Sequence, residues 1–92
     1  MATFIMLGTY SAEAIENISP QRTQVAEDII QNHHGKVKSI YVLLGEYDLH
    51  IVTEFPDIQH AMRASIALTR ATDISFSTNE AFTAQEFDDL MT

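Results

Sequence analysis

The stretch "KVKSIYVLLGEYDLHIVTEF" (36–55) constrains the fold most. It holds two runs rich in β-branched and aromatic residues, 36–44 and 47–55, separated only by Gly45 and Glu46. A two-residue gap led by glycine suits a type II′ turn, whose first position needs positive φ. The chain therefore carries an antiparallel hairpin at its centre. An isolated hairpin is marginal in water, so the flanking segments must cover it.

Upstream, "ATFIMLGTY" (2–10) is short and apolar and is expected as a strand buried on both faces. Residues 11–18 form a connection with room for a helical turn. Ser19 as N-cap, Pro20 at the first helical position and Gly35 at a left-handed C′ position then bracket a helix with an apolar stripe of Val25, Ala26, Ile29 and Ile30. Downstream, Pro56 ends the hairpin and Asp57 caps a helix over 57–72, with Ile58, Ala61, Met62, Ser65 and Leu68 expected inward. "ISFSTNEAF" (74–82) alternates as a half-exposed strand. Thr83 and Glu86 form a capping box, with Phe82 and Phe87 at staple positions, for a short helix over 84–91. The order β-α-β-β-α-β plus a tail helix predicts an α+β fold of ferredoxin-like type, a four-stranded antiparallel sheet with both main helices on one face.

Ninety-two residues make a single domain, 1–92, whose small core favours association with a second copy. The longest apolar runs fall short of a membrane span, and "MATFIML" lacks the basic region of a signal peptide. With no cysteine there is no disulfide or thiolate chemistry, and a cytoplasmic location is expected. Five basic residues, scattered along the chain, face thirteen acidic ones, a net charge of −8. That balance argues against nucleic acid and against anionic membranes as partners.

With helices on one sheet face, the other must meet water, a partner or a ligand. A turn at Gly45–Glu46 sets Leu44 opposite Tyr47, Leu43 opposite Asp48, Tyr41 opposite His50 and Ser39 opposite Val52. Alternation then puts Ser39, Tyr41, Leu43, Asp48, His50, Val52 and Glu54 on the open face, and Ile40, Val42, Leu49, Ile51 and Phe55 under the helices. Ser75 and Ser77 of the last strand join the open face, while Phe76 turns inward. Such a mixed face fits a partly polar cavity between subunits better than bare solvent or a dry interface.

"IMLGTY", "SPQRT", "GKVKSIYVLLGEYDL" and "AFTAQEFDDL" together resemble the GYD-domain family of the dimeric α/β-barrel superfamily. The likeness spans nearly the whole chain, and the signature glycine, tyrosine and aspartate fall on Gly45, Tyr47 and Asp48. The resemblance implies two sheets facing each other across a barrel with an interior cavity. Related barrels include cofactor-free monooxygenases, isomerases and haem enzymes. The hairpin is also similar to that of effector-binding domains in Lrp/AsnC-type regulators, which bind amino acids between subunits; their helix-turn-helix has no counterpart in these residues. A shared fold carries no reaction with it.

The candidate ligand pocket is therefore Tyr41, Tyr47, Asp48, His50, Ser75 and Ser77, with no cofactor and no metal expected. Asp48 beside a tight turn can fix the hairpin by accepting backbone N–H bonds, or can face a ligand. Asp48 and His50 point the same way, and a carboxylate beside an imidazole supports a general base, although no nucleophile motif accompanies them. Tyr47 reads as hairpin packing. Adjacent His33 and His34 diverge by about 100° and cannot chelate together; they suit the negative end of a helix dipole. Asp57 and His60 share a helix side without making a metal site. Arg22 either snorkels along the first helix or, if a cavity opens there, holds an anion. Three functions stay open: a homo-oligomeric small-molecule-binding or sensing domain, a cofactor-independent enzyme of monooxygenase or isomerase type, and a structural or partner-binding module.

Overall fold

The computed structural model describes residues Met1–Thr92. Its elements are β1 (Ala2–Tyr10), α1 (Ala12–Glu16), α2 (Pro20–Asn32), β2 (Lys36–Val42), β3 (Leu49–Phe55), α3 (Ile58–Thr72), β4 (Ile74–Ala81) and α4 (Ala84–Met91). The strands form one antiparallel sheet in the order β2-β3-β1-β4, the ferredoxin-like arrangement, with the connection after β1 holding the extra short helix α1. No helix is long and apolar enough to cross a membrane.

Alternation along β3 organises the core. Leu49, Ile51, Thr53 and Phe55 are buried, whereas His50, Val52 and Glu54 between them are only half-buried. On neighbouring β1, Phe4, Met6 and Gly8 are buried on the same side. Against them pack Ala26 and Ile30 of α2 and Ala61, Ala64 and Leu68 of α3. The polar Thr53 is accommodated because its hydroxyl donates to the Phe4 carbonyl at 2.9 Å. β1 departs from expectation: Thr3, Ile5 and Leu7 are half-buried and Thr9 is exposed, so only its inner face is enclosed within this chain.

Local chemistry starts the helices where the sequence predicts. Ser19 Oγ accepts the Arg22 N–H at 3.1 Å and Asp57 Oδ1 accepts the His60 N–H at 2.9 Å. Both halves of the Thr83–Glu86 capping box are made. Their apolar faces differ from expectation in detail. Val25 is exposed, and Ile58, Met62 and Ile66 form an outer stripe on α3, Met62 being 58% exposed. The interior positions of α3 are taken by Ala61, Ala64, Ser65 and Leu68.

Both glycines assigned to turns serve otherwise. Left-handed backbone occurs at His34 (φ 64°) and Asp73 (φ 60°), and at no glycine. Gly35 is needed for space, because a Cβ there would fall on the Phe55 ring. Gly45 has no positive φ and nothing near the place of its Cβ, so the type II′ turn is not formed. β2 and β3 end at Val42↔Leu49, short of the predicted bounds, and residues 43–48 make a wider connection. The predicted Tyr41–His50 and Ser39–Val52 pairs are present, and the Leu43 N–H donates to the Asp48 carbonyl at 2.7 Å.

A bulge at Lys38 keeps β2 in phase. Val37 pairs with Thr53 and Ser39 with Val52, leaving Lys38 unpaired between them. Strict alternation from Ile40 would turn Lys38 and Lys36 inward and Val37 outward. The extra residue resets the phase, so Val37 packs on the core and Lys36 stays exposed.

The tail helix α4 has no buried residue, and Phe82, Phe87, Leu90 and Met91 are all more than half exposed. The radius of gyration, 13.6 Å, exceeds the value of about 12 Å expected for a compact domain of this length.

Candidate functional site

The register builds rows across the open face. One row runs Tyr41–His50–Leu7–Ser77, the next Ser39–Val52–Ile5–Asn79, and a third Lys36–Glu54–Thr3–Ala81. The apolar centre is Ile5, Leu7 and Val52, with a polar margin on both edge strands. The Tyr41 and His50 rings meet edge-on with centroids 6.5 Å apart. His50 Nε2 is closed off from solvent and has no hydrogen-bond partner in the chain.

The other candidates occupy different surroundings. Ser75 and Ser77 are exposed on β4, and Ser77 lies two strands from His50, about 10 Å away at ordinary strand spacing. Ser77 Oγ accepts from the Asn79 amide at 3.2 Å. Tyr47 is half-buried in the connection, and Gly45 is exposed at its tip. Asp48 does not hold the hairpin turn. Its Oδ2 accepts the N–H of Tyr10, and no hydrogen bond joins it to His50. The carboxylate that would orient the imidazole is thus engaged with the end of β1.

A concavity lies on the opposite, helix-side face. It measures about 300 Å³ and sits between α2 and the end of the sheet nearest the hairpin tip. Ala26, Leu49, Ile51 and Phe76 line its floor, and none of the six candidate pocket residues reaches it. Arg22 does face this cavity. Its guanidinium carbon stands 5.2 Å from the centroid of the Tyr10 ring, and its Nη1 donates to the Ala14 carbonyl. Arg22 stands out in the sequence and Tyr10 does not. The signal was the β1 alternation Phe4, Met6, Gly8, Tyr10, which carries the tyrosine to the inner face.

Three of the four histidines, His33, His34 and His60, lie near the junction of α2 and α3. His33 Nδ1 donates to the Ile29 carbonyl at 2.8 Å, in the last turn of α2. The His34 and His60 rings meet edge-on at 5.4 Å, and His60 Nδ1 donates to Asp57 Oδ1 at 2.6 Å. That hydrogen bond holds the Asp57 carboxyl below its ordinary value of 3.8. No three His, Asp or Glu side chains converge at metal-ligand spacing.

Comparison with known sequences gives one assignment. The sequence model of the GYD domain matches residues 4–91, nearly the full length. No curated protein matches the chain significantly.

Proposed function

The chain belongs to the GYD-domain family, and from that premise we propose that it is a self-associating domain that binds a small organic molecule at the open face of its sheet, between two copies. His50 carries this reading. Its Nε2 is buried and unpaired on a face centred on Ile5, Leu7 and Val52. An unsatisfied polar atom of this kind costs about 1–3 kcal/mol. A polar group brought by a ligand or by a second sheet would recover that cost. The apolar centre favours burial against another surface, and Tyr41, Ser77 and Asn79 at the margin offer hydrogen bonds to whatever is enclosed.

The proposed role is binding or sensing. The Asp48 carboxylate, which could have oriented the His50 imidazole as a general base, is engaged by the Tyr10 N–H instead, and this favours the binding reading.

Light scattering at micromolar concentration, with native mass spectrometry of protein purified from its own host, tests the reading. A dimer or larger assembly with retained non-covalent mass is expected. Leu7→Lys, which leaves the inner face intact, should give a folded monomer without that mass. A monomeric wild-type protein overturns the proposal.

A further inference from the structure

We propose that the helix-side cavity is a second binding site, independent of the open face, for an organic anion with an apolar body, a carboxylate in particular, and that Arg22 anchors it. The volume of about 300 Å³ lies at the lower end of the range for small-molecule pockets. Its lining is chiefly apolar, which suits a hydrocarbon body, and Arg22 is the one cationic residue in it.

The state of Arg22 points to an anion. The chain has thirteen acidic residues and five basic ones, yet no carboxylate lies within ion-pair distance of this guanidinium; the ion pair formed is His60–Asp57. A half-buried cation without a counter-charge, in an apolar setting, complements a carboxylate. The group is also held ready. Its position is set by contact with the Tyr10 ring and by the Nη1 bond to the Ala14 carbonyl. One of five N–H donors is thereby used, leaving others for a ligand.

The lining carries four hydroxyls, of Tyr10, Ser19, Thr23 and Thr72, all neutral, and two of them have other duties. Ser19 Oγ caps α2, and Thr72 Oγ1 donates to the Leu68 carbonyl at 2.6 Å. Selectivity for charge therefore rests on Arg22. The rim is formed by Ile18, Val42 and Leu44, which are 64%, 66% and 90% exposed. They offer an apolar entrance for the body of the ligand.

The test uses the full chain and two probes of equal length, octanoate and octan-1-ol, titrated by calorimetry and by amide NMR. Octanoate should bind at least roughly tenfold tighter than the alcohol, as a charge-assisted hydrogen bond implies. It should shift the amides of Arg22, Thr23 and Leu49. Arg22→Gln should remove that advantage while leaving octan-1-ol binding unchanged, and Arg22→Lys should restore part of it. Thr23→Trp, at an exposed helix position beside the cavity, should block both probes without altering the melting temperature. Binding should persist in the Leu7→Lys monomer, which separates this site from the open face. Equal affinity for the two probes, no response to Arg22→Gln, or shifts confined to Tyr41 and His50 would overturn the proposal.

Discussion

Asp48 holds Tyr10 across 38 positions of sequence: its Oδ2 accepts the Tyr10 N–H at 2.9 Å. Its own N–H donates to the Gly8 carbonyl at 2.8 Å. The β1–β3 ladder ends at Gly8↔Leu49, so the side chain takes the place of the next strand acceptor. Asp48→Ala should cost about 1–2 kcal/mol by leaving a half-buried amide unpaired. Asp48→Asn keeps an acceptor and should lose less than half of that. Urea denaturation measures both, and faster hydrogen exchange at the Tyr10 amide in the alanine variant would identify the cause.

Gly35 and Gly45 should respond oppositely to the same change. A Cβ at Gly35 collides with the Phe55 ring, which is fully buried, so Gly35→Ala should destabilise by about 1–3 kcal/mol. Gly45 has open space and no left-handed backbone, so Gly45→Ala should stay within about 0.5 kcal/mol of wild type. A large loss at Gly45 would restore the type II′ turn.

The Asp57–His60 contact gives a signed pH dependence. Hydrogen bonding from His60 lowers the folded-state pKa of Asp57 below 3.8, so the charged form is favoured in the folded protein. The associated stability is fully present above pH 3.8 and is lost as pH falls through the lower folded-state value. Asp57→Asn retains a cap for α3 but cannot ionise. The difference in unfolding free energy between the two proteins should shrink as pH falls below 3.8. A difference unchanged down to pH 2 would show that the charge contributes nothing.

Removal of residues 83–92 should leave the domain folded, because α4 buries none of its side chains. In the Leu7→Lys background, where association is suppressed, the melting temperature should fall by less than about 4 °C, equivalent to under about 1 kcal/mol. A larger drop by calorimetry would mean that α4 packs on its own chain.

The fold was legible because its signals are local. Ser19, Asp57 and Thr83 cap helices through atoms three residues away, and β3 declares its two faces by simple alternation. The Tyr41–His50 pairing survived a wrong turn type because it depends on the parity of the connection and not on its shape. Spatial constraints were invisible. Gly35 is required by Phe55, twenty residues further on, and Asp48 serves Tyr10 in another strand. Hydrophobicity alone puts Met62 inside, whereas Ala61 and Ala64 are the residues buried there and Met62 is exposed. The helix-side cavity is invisible for the same reason, since its lining is drawn from segments far apart in the sequence.

The bulge at Lys38 lets β2 lose one residue there without a change of phase. Elsewhere in the sheet, loss of one residue would exchange the two faces of everything beyond it. At Lys38 the residue has no partner, and the phase is already reset around it. A deletion there removes a loop of backbone and leaves Val37 facing the core and Tyr41 facing out. Position 38 is accordingly where this strand can lose a residue without exchanging interior for exterior.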